Sequence, residues 1–226
     1  MIAKQNKKYL PFDERGYQVV EYNDYFYTQK NKKTISRGLA EKIASINSYF
    51  FEYLKGYNIP CAFVRTTDKK SLLFLKYTEF PFRIRMLNSA DKRTAKIFSI
   101  KNGAQLELPI FEYYYGDSDN PLITESHLIS FNICNFDDLK MINRLCSKIN
   151  AIVKSFFERR NEYLVELTCV FGKFEGKIYL IDGFTPFNMI VTQIDKDGKL
   201  AEPPKTDTPA QVKKYAEHLF QLTNGE

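Results

Sequence analysis

The sequence has few of the residues that bind metal ions through nitrogen or sulfur. Its 226 residues include two histidines and four cysteines, and the cysteines are widely spaced, with no CxxC pair. This pattern argues against a zinc site and predicts a reducing compartment, hence the cytoplasm. No apolar run approaches the roughly 20 residues that a membrane-spanning helix needs. The basic N-terminus also lacks the apolar segment of a signal peptide, so we expect no membrane partner.

Positive charge is only slightly in excess and is spread along the chain. The 33 basic residues exceed the 27 acidic ones, which gives a formal net charge of +6. Nucleic-acid binding would require basic residues gathered on one face or in a recognisable module, and the sequence shows neither. A protein that handles phosphorylated or carboxylated metabolites also tends to be basic. We therefore expect a small-molecule substrate and no nucleic-acid partner, and the sequence leaves homo-oligomer formation open.

The composition and the order of predicted elements indicate an α+β fold. Hydrophobic residues make up 44% and aromatic residues 15% of the chain, which is enough for a sizeable core in one large domain or two small lobes. Apolar residues at helical spacing predict helices from a Ser36 N-cap to Leu54, over 136–159, and after a Thr208 cap. The predicted strands show no regular βαβ alternation, so we expect a mostly antiparallel sheet with flanking helices.

The strand predicted over 80–86 carries two arginines on one face. Apolar residues alternate there with Arg83 and Arg85, so one face is apolar and the other holds two guanidinium groups. A solvated face is one interpretation of this pattern. Together with Arg93 and Lys96, these side chains would alternatively form a pocket for phosphate or carboxylate, because forked guanidinium groups suit such anions.

The most informative stretch is 108–128, which reads LPIFEYYYGDSDNPLITESHL. The aromatic and β-branched residues around Glu112 predict a strand, and the Asp/Asn/Pro cluster that begins at Asp117 predicts a turn that ends it. Glu112 fits a hydrogen-bonded structural carboxylate and a substrate contact equally well. His127 follows the turn, where a histidine is more often a packing or capping residue than a catalytic base.

This stretch resembles the SAICAR synthetases of purine biosynthesis. Members of that family carry a proline, an apolar pair, glutamate, aromatics, a charged turn, Asp-Pro-Leu-Ile and Glu-x-His in this order. The similarity covers most of the chain, from about Gly16 to the last predicted helix. In this sequence the corresponding residues are Pro109, Ile110, Phe111, Glu112, the three tyrosines at 113–115, Asp117, the segment 120–123, Glu125 and His127.

The resemblance implies an α+β fold of two lobes with ATP held between them, and we divide the chain at 1–80 and 81–226. Family members activate a carboxylate by phosphoryl transfer from Mg·ATP, and the amine of aspartate then attacks the acyl phosphate. Asp182 keeps the position of a metal-binding aspartate in the family, so the resemblance implies a Mg²⁺ ligand there. The candidates for binding nucleotide or substrate are Arg83, Arg85, Arg93, Lys96, Glu112, Asp117 and His127.

Other positions of the family's reaction centre are replaced. Thr168 and Val170 stand where the family has a lysine and a metal-binding glutamate, and Ile190 stands where it has an arginine. The N-terminal region supplies Lys7 and Lys8, without the Gly-rich turn that covers the phosphates in the family. Losing a cation or a metal ligand from a phosphoryl-transfer site typically costs several kcal/mol of transition-state stabilisation, a rate factor of about 1,000 or more.

Two functions follow from this pattern. The first is an ATP- and Mg²⁺-dependent ligase that joins an amino-acid amine to a purine-precursor carboxylate through an acyl phosphate, with a strongly altered site. It would need a second carboxylate near Asp182, such as Glu166 or Asp117. The alternative is a catalytically inactive paralogue that acts as a ligand-binding or protein-partner module, with no second metal ligand. A nucleic-acid-binding function would rest on charge alone.

Overall fold

The computed structural model describes residues 7–28, 32–116 and 122–224, so Asp117 and the turn that follows it lie outside the described residues. Along the chain the elements are β1 (Lys7–Pro11), β2 (Tyr17–Tyr22), β3 (Tyr25–Tyr27), β4 (Lys33–Ile35), α1 (Leu39–Lys55), β5 (Phe63–Asp68), β6 (Ser71–Leu75), β7 (Thr78–Ser89), α2 (Lys92–Phe98), β8 (Gln105–Tyr115), β9 (Leu122–Ile123), α3 (Glu125–Ser130), α4 (Phe136–Glu158), β10 (Glu162–Phe174), β11 (Lys177–Asp182), β12 (Met189–Gln193) and α5 (Pro209–Asn224). This mixture of antiparallel strands and helices confirms the predicted α+β class.

The described residues form two compact units. The first unit contains the chain up to Phe80, the segment Val170–Phe187, and the residues from Lys205 onward. The second unit contains Pro81–Cys169 and Asn188–Pro204. The chain leaves the first unit after Phe80 and returns to it twice, and both returning segments fall within the range 81–226 that was predicted as one lobe. Such returns depend on long-range packing, which local sequence patterns do not reveal.

The first unit is built on an antiparallel sheet with the strand order β1–β2–β6–β5. β3 and β4 form a separate antiparallel pair, and β11 pairs with the last part of β10, residues 170–174. α1 packs against α5, and Lys42 on α1 forms an ion pair of 2.7 Å with Glu217 on α5. The two returning segments therefore complete the surroundings of α1 and the sheet.

Aromatic rings fill the space beneath α1. Phe51 stacks on Phe63 with ring centroids 5.5 Å apart, and its ring meets Phe74 and Phe184 edge-on at the same distance. Phe50 stacks on Phe184 at 4.9 Å. All five rings are buried, and aromatic pairs in these geometries add to the stabilisation from burial. This cluster fixes the segment that follows β11, because Phe184 belongs to it.

The prediction that Ser36 caps α1 is wrong. The helix begins at Leu39, and its N-cap is Gly38 with φ of 80°. The N–H of Ala40 in the first turn has no acceptor within the helix, and it donates to Asp24 Oδ1 at 2.9 Å. The carboxylate comes from the β2–β3 turn, so the chain brings a distant acceptor to the helix instead of a neighbouring hydroxyl.

The second unit contains the strand order β10–β7–β8–β9, with β12 paired to β10. The helix predicted over 136–159 is confirmed as α4, and the apolar stripe of that helix is buried. The predicted hairpin through Glu175 and Gly176 is also confirmed, between β10 and β11. No helix among the described residues is both long and apolar enough to span a membrane.

Candidate functional site

Asp182 ends β11 in the first unit and is 1% exposed. Its Oδ1 accepts the N–H of Gly183 at 2.9 Å, so the carboxylate is oriented by the backbone that follows the strand. Asn47 on α1 donates to the carbonyl of Phe184 at 3.1 Å. The hairpin, α1 and the aromatic cluster therefore hold this carboxylate in a fixed position.

Lys7 on β1 occupies the other side of the Asp182 carboxylate. Its Nζ lies 2.7 Å from Asp182 Oδ2, and the two side chains are 4% and 1% exposed. Burial, the largest single effect, would lower the pKa of Lys7. The charge and hydrogen bond of Asp182, together with the nearby Tyr9 and Glu79, outweigh burial and raise the pKa above its usual value. The pair is thus an ammonium and a carboxylate that are both removed from water.

Tyr22 lies on the same face of the sheet as Lys7, because the two residues are direct partners across the β1–β2 ladder. Its hydroxyl is buried and has no hydrogen-bond partner among the described protein atoms. Burial first, and the nearby charge of Asp182 second, raise the pKa of Tyr22 well above its ordinary value. The surroundings of the ion pair therefore include a neutral phenol with a free hydrogen-bonding group.

The donors near Asp182 do not fit a magnesium site. Val170 is the direct partner of Asp182 across the β10–β11 ladder, and it stands where the family resemblance expects the second metal carboxylate. Mg²⁺ requires near-octahedral oxygen ligation. Here the ammonium group of Lys7 is already in contact with the Asp182 carboxylate. Within 7–28, 32–116 and 122–224, no three His, Cys, Asp or Glu side chains are grouped so that they could hold a metal ion.

An open groove of about 620 Å³ lies along the β1–β2 turn of the first unit. The residues that line it include Asp13, Glu14, Arg15 and Lys76. This is the N-terminal region that the resemblance aligns with the family's phosphate-covering loop. Two acidic side chains in the turn offset the two basic ones, so the groove has no excess of positive charge for phosphates.

In the second unit, Arg85 is the centre of a charged cluster on the sheet. Its guanidinium group contacts three carboxylates, with donor–acceptor distances of 3.0 Å from Nε to Glu166, 2.9 Å to Asp91 and 3.2 Å to Glu112. A second nitrogen also contacts Glu166. Burial alone would lower the pKa of Arg85, but Glu166 and the other carboxylates together raise the pKa above its usual value. The predicted anion-binding arginine is therefore satisfied by protein carboxylates.

Glu112 joins Arg85 to a second arginine. It is 6% exposed, and its two oxygens contact Arg85 and Arg93. The hydroxyl of Tyr114 donates to the Oε2 of Glu112 at 2.7 Å. The prediction left Glu112 open between a structural carboxylate and a substrate contact, and its observed partners are all side chains of the same unit.

The remaining predicted binding residues are not drawn into this cluster. Arg83 donates to the carbonyl of Gly116 at 2.5 Å and lies over the ring of Tyr114. Lys96 is on the exposed side of α2. The Nδ1 of His127 accepts the N–H of Thr124 at 3.0 Å, which makes His127 part of the cap of α3. Binding of nucleotide or substrate by these residues stays a prediction, as it does for Asp117.

Sequence reasoning selected Asp182 but not its partner. Lys7 was noted only as part of a basic N-terminal region, and no local pattern marks it as buried. Its alternation with Tyr9 in a β segment is the single available signal, since both would share the face that Tyr22 occupies. Glu166 was named as a second carboxylate for a metal, and it instead binds Arg85.

The comparison with known proteins decides the family. The family model for SAICAR synthetase matches residues 8–200. The chain is 30% identical over 185 residues to the phosphoribosylaminoimidazole-succinocarboxamide synthase of Desulfitobacterium hafniense (strain DSM 10664 / DCB-2), covering 80% of this chain and 77% of that protein. This chain belongs to the SAICAR synthetase family. The resemblance seen in the central stretch is thereby confirmed.

Other SAICAR synthetase family members agree with this assignment. The synthase of Clostridium novyi (strain NT) is 29% identical over 185 residues, which is 80% of this chain and 78% of that protein. The crystal structure of the synthase from Ehrlichia chaffeensis superposes with a TM-score of 0.87 at 22% identity, covering 99% of this chain and 97% of that one. A SAICAR synthetase in complex with ADP gives a TM-score of 0.85 at 22% identity with the same coverage. These structures establish a shared fold.

Proposed function

We propose that this chain is a SAICAR synthetase family member that binds a nucleotide without performing the family's magnesium-dependent ligation. The observation that carries this proposal is the buried ion pair between Lys7 and Asp182. A ligase of this type needs Asp182 to hold Mg²⁺ on the phosphates, and here that carboxylate is neutralised inside the protein. Nucleotide binding is supported by the close match in fold to the SAICAR synthetase in complex with ADP.

The charged cluster of the second unit supports the same proposal. Arg85 and Arg93 would be the residues that grip a phosphate or carboxylate of a substrate, and both contact Glu112. Arg85 in particular already contacts three carboxylates and gains little from an additional anion, because it would have to give up bonds that it already makes. The ligand of this protein therefore differs from the family's substrates at this position.

Ligation with an altered site is the second candidate. It is favoured by the 29–30% identity over 80% of the chain to proteins named as synthases. In that case a substrate or nucleotide would supply the interactions that Thr168 and Val170 no longer provide. The identities of the amine substrate and the carboxylate substrate would both be undetermined, since the residues that contact them in the family are changed.

The first prediction separates these functions by binding and turnover in parallel. We expect ATP to raise the melting temperature by about 8 °C at about 100 times its dissociation constant, equivalent to roughly 2.7 kcal/mol. We expect no release of ADP or phosphate when ATP, Mg²⁺, aspartate and the family's purine-precursor carboxylate are supplied together. Calorimetry or thermal unfolding measures the first, and a coupled ADP assay measures the second.

The Clostridium novyi synthase is the positive control for the turnover assay. Sustained, substrate-dependent ADP formation by this chain would overturn the proposal and favour the altered ligase. If no melting shift occurs up to millimolar ATP, the nucleotide part is wrong, and the fold serves a ligand of another class.

A further inference from the structure

We infer that the Lys7 ammonium group takes the place of a divalent cation at Asp182, so that ligand binding beside this carboxylate requires no metal ion. The inference deepens the proposed function and rests on it for the identity of the ligand. The replacement itself rests on the geometry of the first unit alone. It explains why a metal-binding aspartate is retained in a chain that has lost the second metal carboxylate.

The position of Lys7 is fixed by the sheet. It is the first residue of β1, and its cross-strand partner Tyr22 is 1% exposed. A lysine on the buried face of the sheet would leave its charge without water or a partner, which is strongly unfavourable. Contact with Asp182 at 2.7 Å supplies the partner. The long side chain thus delivers one positive charge to the end of β11.

The charges at this point leave no role for a metal ion. Asp182 and Lys7 together are neutral, and Val170 opposite Asp182 contributes no charge. A divalent cation would have to displace an ammonium group that is in contact with the carboxylate. Val170, the residue opposite Asp182 on β10, would offer it no second carboxylate ligand. An ammonium group also removes the repulsion that a bare carboxylate would exert on an anionic ligand.

A purely structural role for Lys7 makes a different prediction. β1 is an edge strand, and an inward-pointing charged residue is one way in which proteins prevent such an edge from pairing with another chain. If the ammonium group serves only this purpose, replacing it should destabilise the protein, and divalent cations should not restore the lost stability. Rescue by cations therefore distinguishes the two roles.

The test compares wild type with Lys7→Met and with the double variant Lys7→Met/Val170→Glu. Unfolding is followed thermally in EDTA and then in increasing Mn²⁺ or Mg²⁺. We expect no shift for the wild-type protein. Lys7→Met should lose about 10 °C in EDTA, because it removes the ammonium group that neutralises the buried Asp182 carboxylate. Cations should restore about 4 °C at ten times their dissociation constant, with higher affinity when Val170→Glu supplies a second carboxylate.

The matched control is Lys7→Met/Asp182→Asn, in which both charges are removed. It should unfold at a higher temperature than Lys7→Met in EDTA and should not respond to cations. If Lys7→Met alone does not fold, the variant Lys7→Met/Val170→Glu is refolded with and without Mn²⁺ instead. The neutral variant Lys7→Met/Asp182→Asn is refolded beside it as the control. The inference is overturned if Mn²⁺ stabilises the wild-type protein, or if neither Lys7 variant responds to it.

A second experiment measures the dissociation constant of ATP for the wild-type protein, once in EDTA and once with excess Mg²⁺. We expect dissociation constants within about twofold of each other, and a requirement for Mg²⁺ would contradict the inference. If ATP does not bind under either condition, the proposed nucleotide function fails while the cation-rescue result still decides the role of Lys7. The two failures are therefore distinguishable.

Discussion

Arg85 connects three carboxylates of the second unit. Its contacts to Glu166, Asp91 and Glu112 use the fork geometry of a guanidinium group, and lysine at this position would reach one of them at best. Asp91 also accepts the N–H of Thr94 at 2.8 Å and thereby caps α2. One residue thus ties the start of a short helix to β8 and β10.

At the residue scale we predict that Glu112→Gln lowers the free energy of unfolding by about 3 kcal/mol. The substitution keeps the shape of the side chain but removes the negative charge shared by Arg85 and Arg93, and Arg85 is mostly buried. Urea denaturation at neutral pH measures the change. Lys96→Gln is the control, and it should cost less than about 0.5 kcal/mol because Lys96 is exposed. Equal effects of the two substitutions would show that the cluster contributes nothing specific to stability.

At the element scale, α1 depends on a carboxylate from outside the helix. Burial tends to raise the pKa of Asp24, but the N–H groups of Ala40 and Gly38 and the ammonium of Lys70 lower it below the usual value. The folded protein thus stabilises the ionised form of Asp24. The interaction satisfies an N–H that has no partner within the first turn and complements the positive end of the helix dipole.

We predict that Asp24→Ala lowers the free energy of unfolding by about 1 kcal/mol at pH 7. Because the folded pKa is the lower one, this contribution is fully present above the unfolded pKa, which is near 3.8. It is lost as the pH falls through the folded pKa. The difference between wild type and variant should therefore shrink below about pH 4. Denaturation between pH 3 and pH 7 measures it.

Asp13→Ala is the control for this prediction, since Asp13 is an exposed carboxylate in the β1–β2 turn. It should show little change at either end of the pH range. A difference between wild type and Asp24→Ala that grows on acidification would contradict the assigned direction of the pKa shift.

The same scale shows where sequence patterns identify elements well. The predicted cap of the last helix is confirmed, because the N–H of Gln211 donates to Thr208 Oγ1 at 3.3 Å and the N–H of Thr208 donates to Gln211 Oε1 at 3.0 Å. All its groups lie within four positions, so neighbouring residues alone decide it. The cap of α1 was missed because Asp24 lies sixteen positions before Ala40.

At the scale of the whole molecule, every cysteine is a free thiol inside the fold. Cys61, Cys134, Cys146 and Cys169 are all buried. Burial raises the pKa of Cys61 to about 12, and it raises the pKa of Cys146 as well. Thiolates are the reactive form of cysteine. The native protein therefore protects all four thiols by excluding reagent, and it also keeps Cys61 and Cys146 protonated.

We therefore predict that a disulfide exchange reagent such as DTNB labels the native protein slowly at pH 8, with a rate that follows unfolding. In concentrated guanidinium chloride all four thiols of the chain should react rapidly. Absorbance of the released thiolate counts the reacted groups in both conditions. Rapid labelling of even one equivalent in the native state would contradict the burial of the corresponding cysteine.

The sequence by itself determined the class of the fold, the long amphipathic helix, the β10–β11 hairpin and the family. These depend on hydrophobic periodicity, turn residues and the order of motifs, which are properties of neighbouring residues. It also selected Asp182 as a candidate metal ligand, which stays a prediction. Only the tertiary structure decided that Lys7 pairs with Asp182, because the contact exists through the placement of β1 and β11 within one unit. The same holds for Arg85, whose three carboxylate partners come from separate elements and are assembled by packing alone.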